Sequence, residues 1–291
     1  MYSSIAKNKR NTVVIFTAFI AIISAIGFTF SYIYHQPSIF YWALIGSLLY
    51  AGIEYALSSR IVLAMNGAQE VTRAQAPEFY ATVESISITA GIPMPKLYII
   101  HDPALNAFAA GNSPEKAIVC ATTGLLKTMD KVELEGVVAH EISHIKNYDI
   151  RVSMAAVALT AAIGLLSDIA WRLLFRSNDR DSDRSPIVYI IGLVLVIFSP
   201  ILAAIIRMAI SREREYLADA SAVMLTRYPE GLISALEKLR TDNQPMQKQS
   251  TTTANLFITN PLKGSALNRL FATHPPLEKR IQRLQENSRK F

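Results

Sequence analysis

Two stretches near the N-terminus limit what this chain can fold into more than any other feature. Residues 13–34 carry no charge, and residues 39–53 carry none until Glu54. The first is long enough to cross a bilayer, whose hydrocarbon core takes about 20 apolar residues. In lipid, every backbone N–H and C=O has to be satisfied within the segment, so such runs become helices. His35-Gln36-Pro37-Ser38 makes a tight break between them, and the pair reads as a helical hairpin with a very short loop. A cleaved leader is the competing reading. The first run exceeds the usual apolar length of about 7–15 residues, however, and no small-residue cleavage site follows it. Lys7, Lys9 and Arg10 precede the run and hold the N-terminus in the cytoplasm by the positive-inside bias. His35 then falls in the outer loop, and Glu54 marks the returning interface.

Composition agrees with a membrane protein. The chain is 51% hydrophobic and 18% charged, with a mean hydropathy of +0.25, against about 25% charged residues in soluble domains. Basic residues beside apolar spans account for the net charge of +6. No RNA- or DNA-binding motif is visible, so no nucleic-acid partner is expected. Cys120 is the single cysteine, which excludes an intramolecular disulfide and a cysteine-based zinc cluster.

Two more apolar runs follow. Residues 152–167 cover roughly 24 Å as a helix, and Asp168 and Arg172 interrupt the far end. This run is expected to be tilted, shallow or partly buried in protein. A polar loop at 176–185 leads to the fourth run, 187–206, with a kink at Pro200. Two spans return the chain to the side it left, so the pieces before and after this hairpin share a compartment. The expected organisation is an N-terminal transmembrane hairpin at 1–57, a cytoplasmic part at 58–151, a second hairpin at 152–206 and a cytoplasmic helical part at 207–291.

Within 58–151, Pro77 opens a helix to Ala90 that Gly91 ends. Residues 96–100 and 117–121 read as short strands, with a short extended candidate at 106–111 between them. In the last part, helices are expected at about 212–227, 230–240 and 277–285. The stretch 241–264 is polar with little periodicity and reads as a loop or flexible segment.

The chemistry concentrates on one predicted helix, 131–147, whose centre reads His140-Glu141-Ile142-Ser143-His144. Asp130 and Glu133 give it a capping-box start, and Val132, Val137, Val138, Ile142 and Ile145 a largely apolar face. Four-residue spacing stacks two imidazoles on one face, close enough to share a metal ion. Glu141 can reach a water on that metal without being a ligand. Zinc held this way lowers the pKa of water from about 15.7 to about 7, and the carboxylate then takes the proton.

Two imidazoles need a third protein ligand. Residue 150, six after His144, is isoleucine, so the ligand comes from elsewhere. Glu215 is the best candidate: it stands four before Asp219 on a predicted helix, and Glu213 is on another face. One of the pair can bind metal while the other accepts a hydrogen bond from a ligand imidazole. The plain alternative is a solvated juxtamembrane helix with i,i+4 charge pairs.

The runs VVAHEISHIKNYD, SREREYLADA and FATHPPLEKRI, in this order, resemble the HtpX family of membrane zinc metalloproteases, relatives of the CAAX prenyl proteases. The resemblance spans essentially the whole chain. It implies one zinc ion held by His140, His144 and Glu215, Glu141 as general base, and Asp219 supporting a ligand. It further implies cleavage of misfolded or damaged membrane proteins at the cytoplasmic face, in stress-related quality control. The prenyl proteases have more spans than this N-terminal hairpin provides, which puts a prenyl-peptide substrate in question.

In a hydrolase, an imidazole aimed at the scissile carbonyl would stabilise the oxyanion. The resemblance assigns that role to His274; the alternative is that residues 273–275 merely start a helix. Arg280 is assigned to substrate or site support. The resemblance also places Asn106 and Ala109 in a substrate-binding edge strand, where an extended peptide would add. The alternative is a small-residue turn packed on the motif helix. Asp149 either orients a histidine or ends that helix, and His101 is structural.

The expected fold class is a mostly α membrane protein: two transmembrane helical hairpins with a zincin-like (gluzincin) α+β catalytic domain carrying a small sheet. It would sit in the cell membrane with about four spans, both termini and the site cytoplasmic, and polypeptides as partners besides the lipid bilayer. A non-catalytic, zinc-holding adaptor is the main competing function; Glu141 argues against it, since structural zinc gains nothing from a base. The charges flanking the motif helix argue against a site at bilayer depth, and the apolar runs lack the ligand clusters of a zinc transporter.

Overall fold

The computed structural model describes residues 2–175, 212–242, 244–250, 252–262 and 274–287. The expected polar loop at 176–185 and the fourth apolar run at 187–206 lie outside the described residues. The N-terminal hairpin is present as α1 (Tyr2–Ile33) and α2 (Ser38–Asn66), joined through His35 in the left-handed region at φ 52°. Both are long and apolar enough to cross a membrane. Their outward faces carry unburied apolar side chains: Val14 is 58% exposed, Phe28 61% and Leu49 61%. Such contiguous apolar surface suits lipid rather than water. α2 continues past the apolar run, and Gly67 at φ 66° ends it with a left-handed cap.

A small mixed sheet follows: β1 (Gln69–Glu70), β2 (Lys96–Ile100), β3 (Ala107–Ala110) and β4 (Ile118–Thr122), in the order β1-β2-β4-β3. β2 and β4 are parallel, whereas β3 runs antiparallel to β4 along one edge. Between β1 and β2 lies α3 (Pro77–Ala90), ended by Gly91 as expected. Side chains alternate across the sheet with period two. Leu97, Ala107, Ala109, Val119 and Ala121 join one core with α3 and the motif helix; Ile100, Phe108, Ala110, Ile118 and Cys120 join a second core with Val62 and Leu63 of α2. The sheet is therefore covered on one face by the soluble helices and on the other by the inner ends of the membrane helices.

A one-and-a-half-turn helix α4 (Thr123–Thr128), N-capped by Thr122, leads to the motif helix α5 (Lys131–Lys146). α5 starts with the expected capping box, in which the Asp130 and Glu133 side chains each accept from the other's backbone. α6 (Asp149–Phe175) begins almost at once. It runs as one helix past Asp168 and Arg172, longer than the expected 152–167. Met154, Val157 and Leu159 are buried, against the sheet and the N-terminal hairpin, in line with a partly protein-buried run.

The remaining helices are α7 (Arg212–Thr226), α8 (Pro229–Thr241) and α9 (Leu277–Asn287). The described residues of the stretch 241–264 are largely irregular, as expected of a loop, yet part of it is packed into the protein. Met246, Phe257 and Ile258 are 1–2% exposed and enter both cores. Its apolar residues lack a helical or strand period because they insert one at a time into existing gaps.

Candidate metal and catalytic site

Most of α5 is buried, so its polar side chains have to find partners inside the protein. The Nε2 atoms of His140 and His144 face each other at 3.2 Å. α7 packs against α5 and delivers Glu215, whose carboxylate oxygens lie 3.6 Å from His140 Nε2 and 3.5 Å from His144 Nε2. One donor atom from each of the three residues falls within 4.8 Å of the other two.

Each imidazole is held from behind. His140 Nδ1 is 3.0 Å from Asp219 Oδ1, and His144 Nδ1 is 3.0 Å from Asp149 Oδ2. A neutral imidazole that donates through Nδ1 presents its Nε2 lone pair forward. Both Nε2 atoms and the Glu215 carboxylate therefore converge on one point, with Glu215 Oε2 also 2.9 Å from His274 Nδ1. The donor set thus fits a divalent metal, with nitrogen and oxygen ligands of the kind zinc accepts.

Asp149 reaches His144 because the chain turns sharply between α5 and α6. Tyr148 adopts φ 60°, a strained value for a bulky residue and of the sort that persists at functional sites. The other oxygen of Asp149 accepts from Asn8 Nδ2 at 2.6 Å, and that same amide donates to Asn147 C=O at 3.0 Å. Asn8 belongs to α1 and is 3% exposed. Sequence reasoning missed it, since an asparagine ahead of a span has no periodic signal linking it to Asp149.

Arg280 on α9 is fully buried and clamps Asp219, with Nε donating to Oδ2 at 2.9 Å and Nη2 to Oδ1 at 2.6 Å. A bidentate pair of this type fixes the carboxylate that orients His140. Of the two expectations for Arg280, substrate or site support, this placement favours site support, because the side chain is fully buried against Asp219. Asn106 directly precedes β3, and its side chain is engaged within the protein. Its carboxamide donates to Thr259 C=O at 3.0 Å and accepts from Thr259 N–H at 3.2 Å, leaving no free polar end for a peptide.

Glu141 accepts from the Ala109 N–H of β3. The alanines at 107 and 109 let α5 approach the strand closely enough for this bond. Glu141, Ala109, His144, Glu215 and His274 line one cleft, joined by Asn255 and Leu256. His274 Nδ1 lies 2.9 Å from Glu215 Oε2.

Burial shapes the charges. It raises the Glu141 carboxyl above its ordinary value, more than the neighbouring histidines lower it. Burial also opposes ionisation of Glu215, but the charges of His274 and His144 outweigh it and hold that carboxyl well below the usual range. For His140, burial and the Arg280 charge favour the neutral ring; bonds to Asp219 and Glu215 exceed both and raise its pKa to about 9. A ring that holds a proton this tightly binds metal only by releasing it.

Known proteins share this architecture. Residues 73–288 match the model of peptidase family M48. The chain is 45% identical to a protease HtpX homolog of Tropheryma whipplei (strain Twist) over the full length of both chains. It is 47% identical to one from Streptococcus uberis, covering 98% of this chain and 99% of that one. Its fold is similar to the crystal structure of S. mikatae Ste24p, with a TM-score of 0.54 and 22% identity; 98% of this chain aligns with 66% of that one. With most of its length inside the family model and relatives matched from end to end, the chain belongs to peptidase family M48, among the HtpX-type membrane metalloproteases.

Proposed function

We propose that this protein is a zinc-dependent endopeptidase of the gluzincin type that cuts extended segments of misfolded or damaged membrane proteins at the cytoplasmic face. One observation carries the reading. Glu141 is buried beside the three ligand residues, is not one of them, and is aimed by the Ala109 N–H along the wall of the same cleft.

Held by His140, His144 and Glu215, zinc would polarise a water molecule and the scissile carbonyl. Glu141 removes a proton from the water and passes it to the leaving amine. Its burial keeps the carboxyl a stronger base than an exposed glutamate. His274, on the opposite wall, donates to the oxyanion; one such donor is typically worth about 10²–10³ in kcat. Asp219 and Asp149 keep the imidazoles in one tautomer and orientation, and Arg280 holds Asp219 in turn. β3 is the edge strand of the sheet and runs beside Glu141, which suits an extended, unfolded chain.

The proposed topology has four spans, with both termini and the site cytoplasmic. The basic residues in the first turns of α1, ahead of its apolar run, support it, as does the packing of α6 against the N-terminal hairpin. A site at the inner ends of membrane helices meets membrane proteins whose cytoplasmic segments have come loose.

The test is hydrolysis of casein by the full chain in detergent with zinc, comparing wild type with Glu141→Gln. Cleavage by wild type, with a loss of at least about 10²-fold in the variant at unchanged zinc content, is the expected result. Equal rates for the two proteins, or no cleavage of casein or of membrane substrates by zinc-loaded wild type, would overturn it.

A further inference from the structure

This inference rests on the peptidase reading and concerns how a peptide is held. β3 is the edge strand, and its pairing with β4 decides which backbone groups face outward. Thr122 N–H donates to Asn106 C=O, so by antiparallel alternation Phe108 and Ala110 bond inward to β4, whereas Ala107 and Ala109 face the open edge.

The first part of that edge is already closed. Ile258 N–H donates to Ala107 C=O at 3.0 Å, and the Asn106 carboxamide brackets the backbone of Thr259. Phe257 packs edge-on against Phe108, with ring centroids 4.9 Å apart. Phe257 and Ile258 are 1% and 2% exposed and packed into the two cores, so this part of the edge is covered by the protein itself. Further along the edge the Ala109 N–H donates to Glu141, so a peptide can bond β3 there through the Ala109 C=O.

Asn255 lines the same cleft as Ala109 and Glu141 and is 6% exposed. Its Nδ2 is buried with no hydrogen-bond partner. Buried donors are rarely left unmade, because losing water without gaining a protein acceptor is unfavourable. This one borders the cleft that contains Glu141 and His274.

We propose that Asn255 is a substrate-binding residue, its Nδ2 donating to a backbone carbonyl of the peptide while the Ala109 C=O of β3 accepts from a peptide N–H. A neutral amide suits a neutral acceptor, and a main-chain carbonyl is present at every position of every polypeptide. Recognition by β3 and Asn255 together therefore selects extended backbone, not a side-chain sequence. That is the substrate class of an enzyme that meets many different unfolded segments.

The experiment measures binding and turnover separately. In the zinc-loaded, full-length Glu141→Gln protein, Asn255→Ala and the nearly isosteric Asn255→Asp are titrated with a fluorescein-labelled, unstructured casein peptide. Both are expected to weaken binding about three- to tenfold, the loss of one neutral hydrogen bond, with Tm and zinc content unchanged. In the wild-type background, Asn255→Ala is expected to raise KM by a similar factor with kcat nearly constant. Unchanged affinity in both variants overturns the assignment. So does a loss confined to Asn255→Ala, which indicates packing, or a loss that tracks a fall in Tm or zinc. The affinities are read without turnover, so a failure of the peptidase reading, seen as equal casein cleavage by wild type and Glu141→Gln, is distinguishable from a failure of the clamp.

Discussion

At the scale of single residues, the site works by giving each side chain one job through its second polar atom. His140 and His144 spend Nδ1 on Asp219 and Asp149 and direct Nε2 to a common point. Glu141, next to His140 in the chain, is turned toward β3 and stays a base rather than a ligand. Burial raises its carboxyl, and a general base works only when deprotonated, so activity is lost as pH falls through that raised value. The ascending limb of kcat/KM against pH is thus expected above the 4.5 of an ordinary glutamate. A pH–rate profile on a peptide substrate measures it, and a limb at or below that value would show that the bound metal outweighs burial. The four-residue spacing of the histidines was legible in the chain, because helical periodicity is local. The strained turn at Tyr148 that swings Asp149 back onto His144 was not, since nothing in a tyrosine announces a positive φ.

At the scale of elements, α5 is fixed at its start and in the middle. The capping box sets its start, and Lys238 Nζ and Ser234 Oγ of α8 both bond Glu133. In the middle, Gly136 and Gly231 let α5 and α8 meet backbone to backbone. A Cβ at Gly136 would stand 2.7 Å from Leu232 N and 2.8 Å from its Cα, atoms that cannot swing aside. Gly136→Ala is therefore expected to destabilise the fold by about 1–3 kcal/mol despite alanine's better helix propensity. A lowered Tm in detergent with impaired zinc retention checks this; a raised Tm would mean that α8 yields. Strands and helices were largely legible from turn residues and periodicity. The residues at 252–262 were not, because their apolar side chains fill gaps in two different cores.

At the scale of the molecule, the membrane hairpin is part of the site. The inner ends of α2 and α6 cover the back of the sheet, and α1 sends Asn8 to Asp149 and Asn147. The chain of contacts Asn8–Asp149–His144 ties a membrane helix to a metal ligand. Partners directly behind a metal ligand are typically worth about 10–100-fold in metal affinity. Asn8 acts one bond further out, and Asn8→Ala is expected to weaken zinc binding by about three- to tenfold. Competition with a chromophoric chelator reads this directly. An unchanged zinc affinity would make α1 an anchor and nothing more.

The amino-acid sequence by itself determined the membrane hairpin, the motif helix with His140, Glu141 and His144, and the candidate pair Glu215 and Asp219. Each of these is written within a few turns of chain, in charge-free length or in four-residue spacing. Only the tertiary structure decided that Arg280 clamps Asp219 from 61 residues away, that Asn8 meets Asp149 from 141, and that Thr259 takes up Asn106 from 153. Contacts at such separations depend on how whole elements pack. Hydrogen-bond complementarity between distant loops leaves no period in a sequence, so the walls of the cleft emerge only when the sheet, α5 and the membrane helices are assembled.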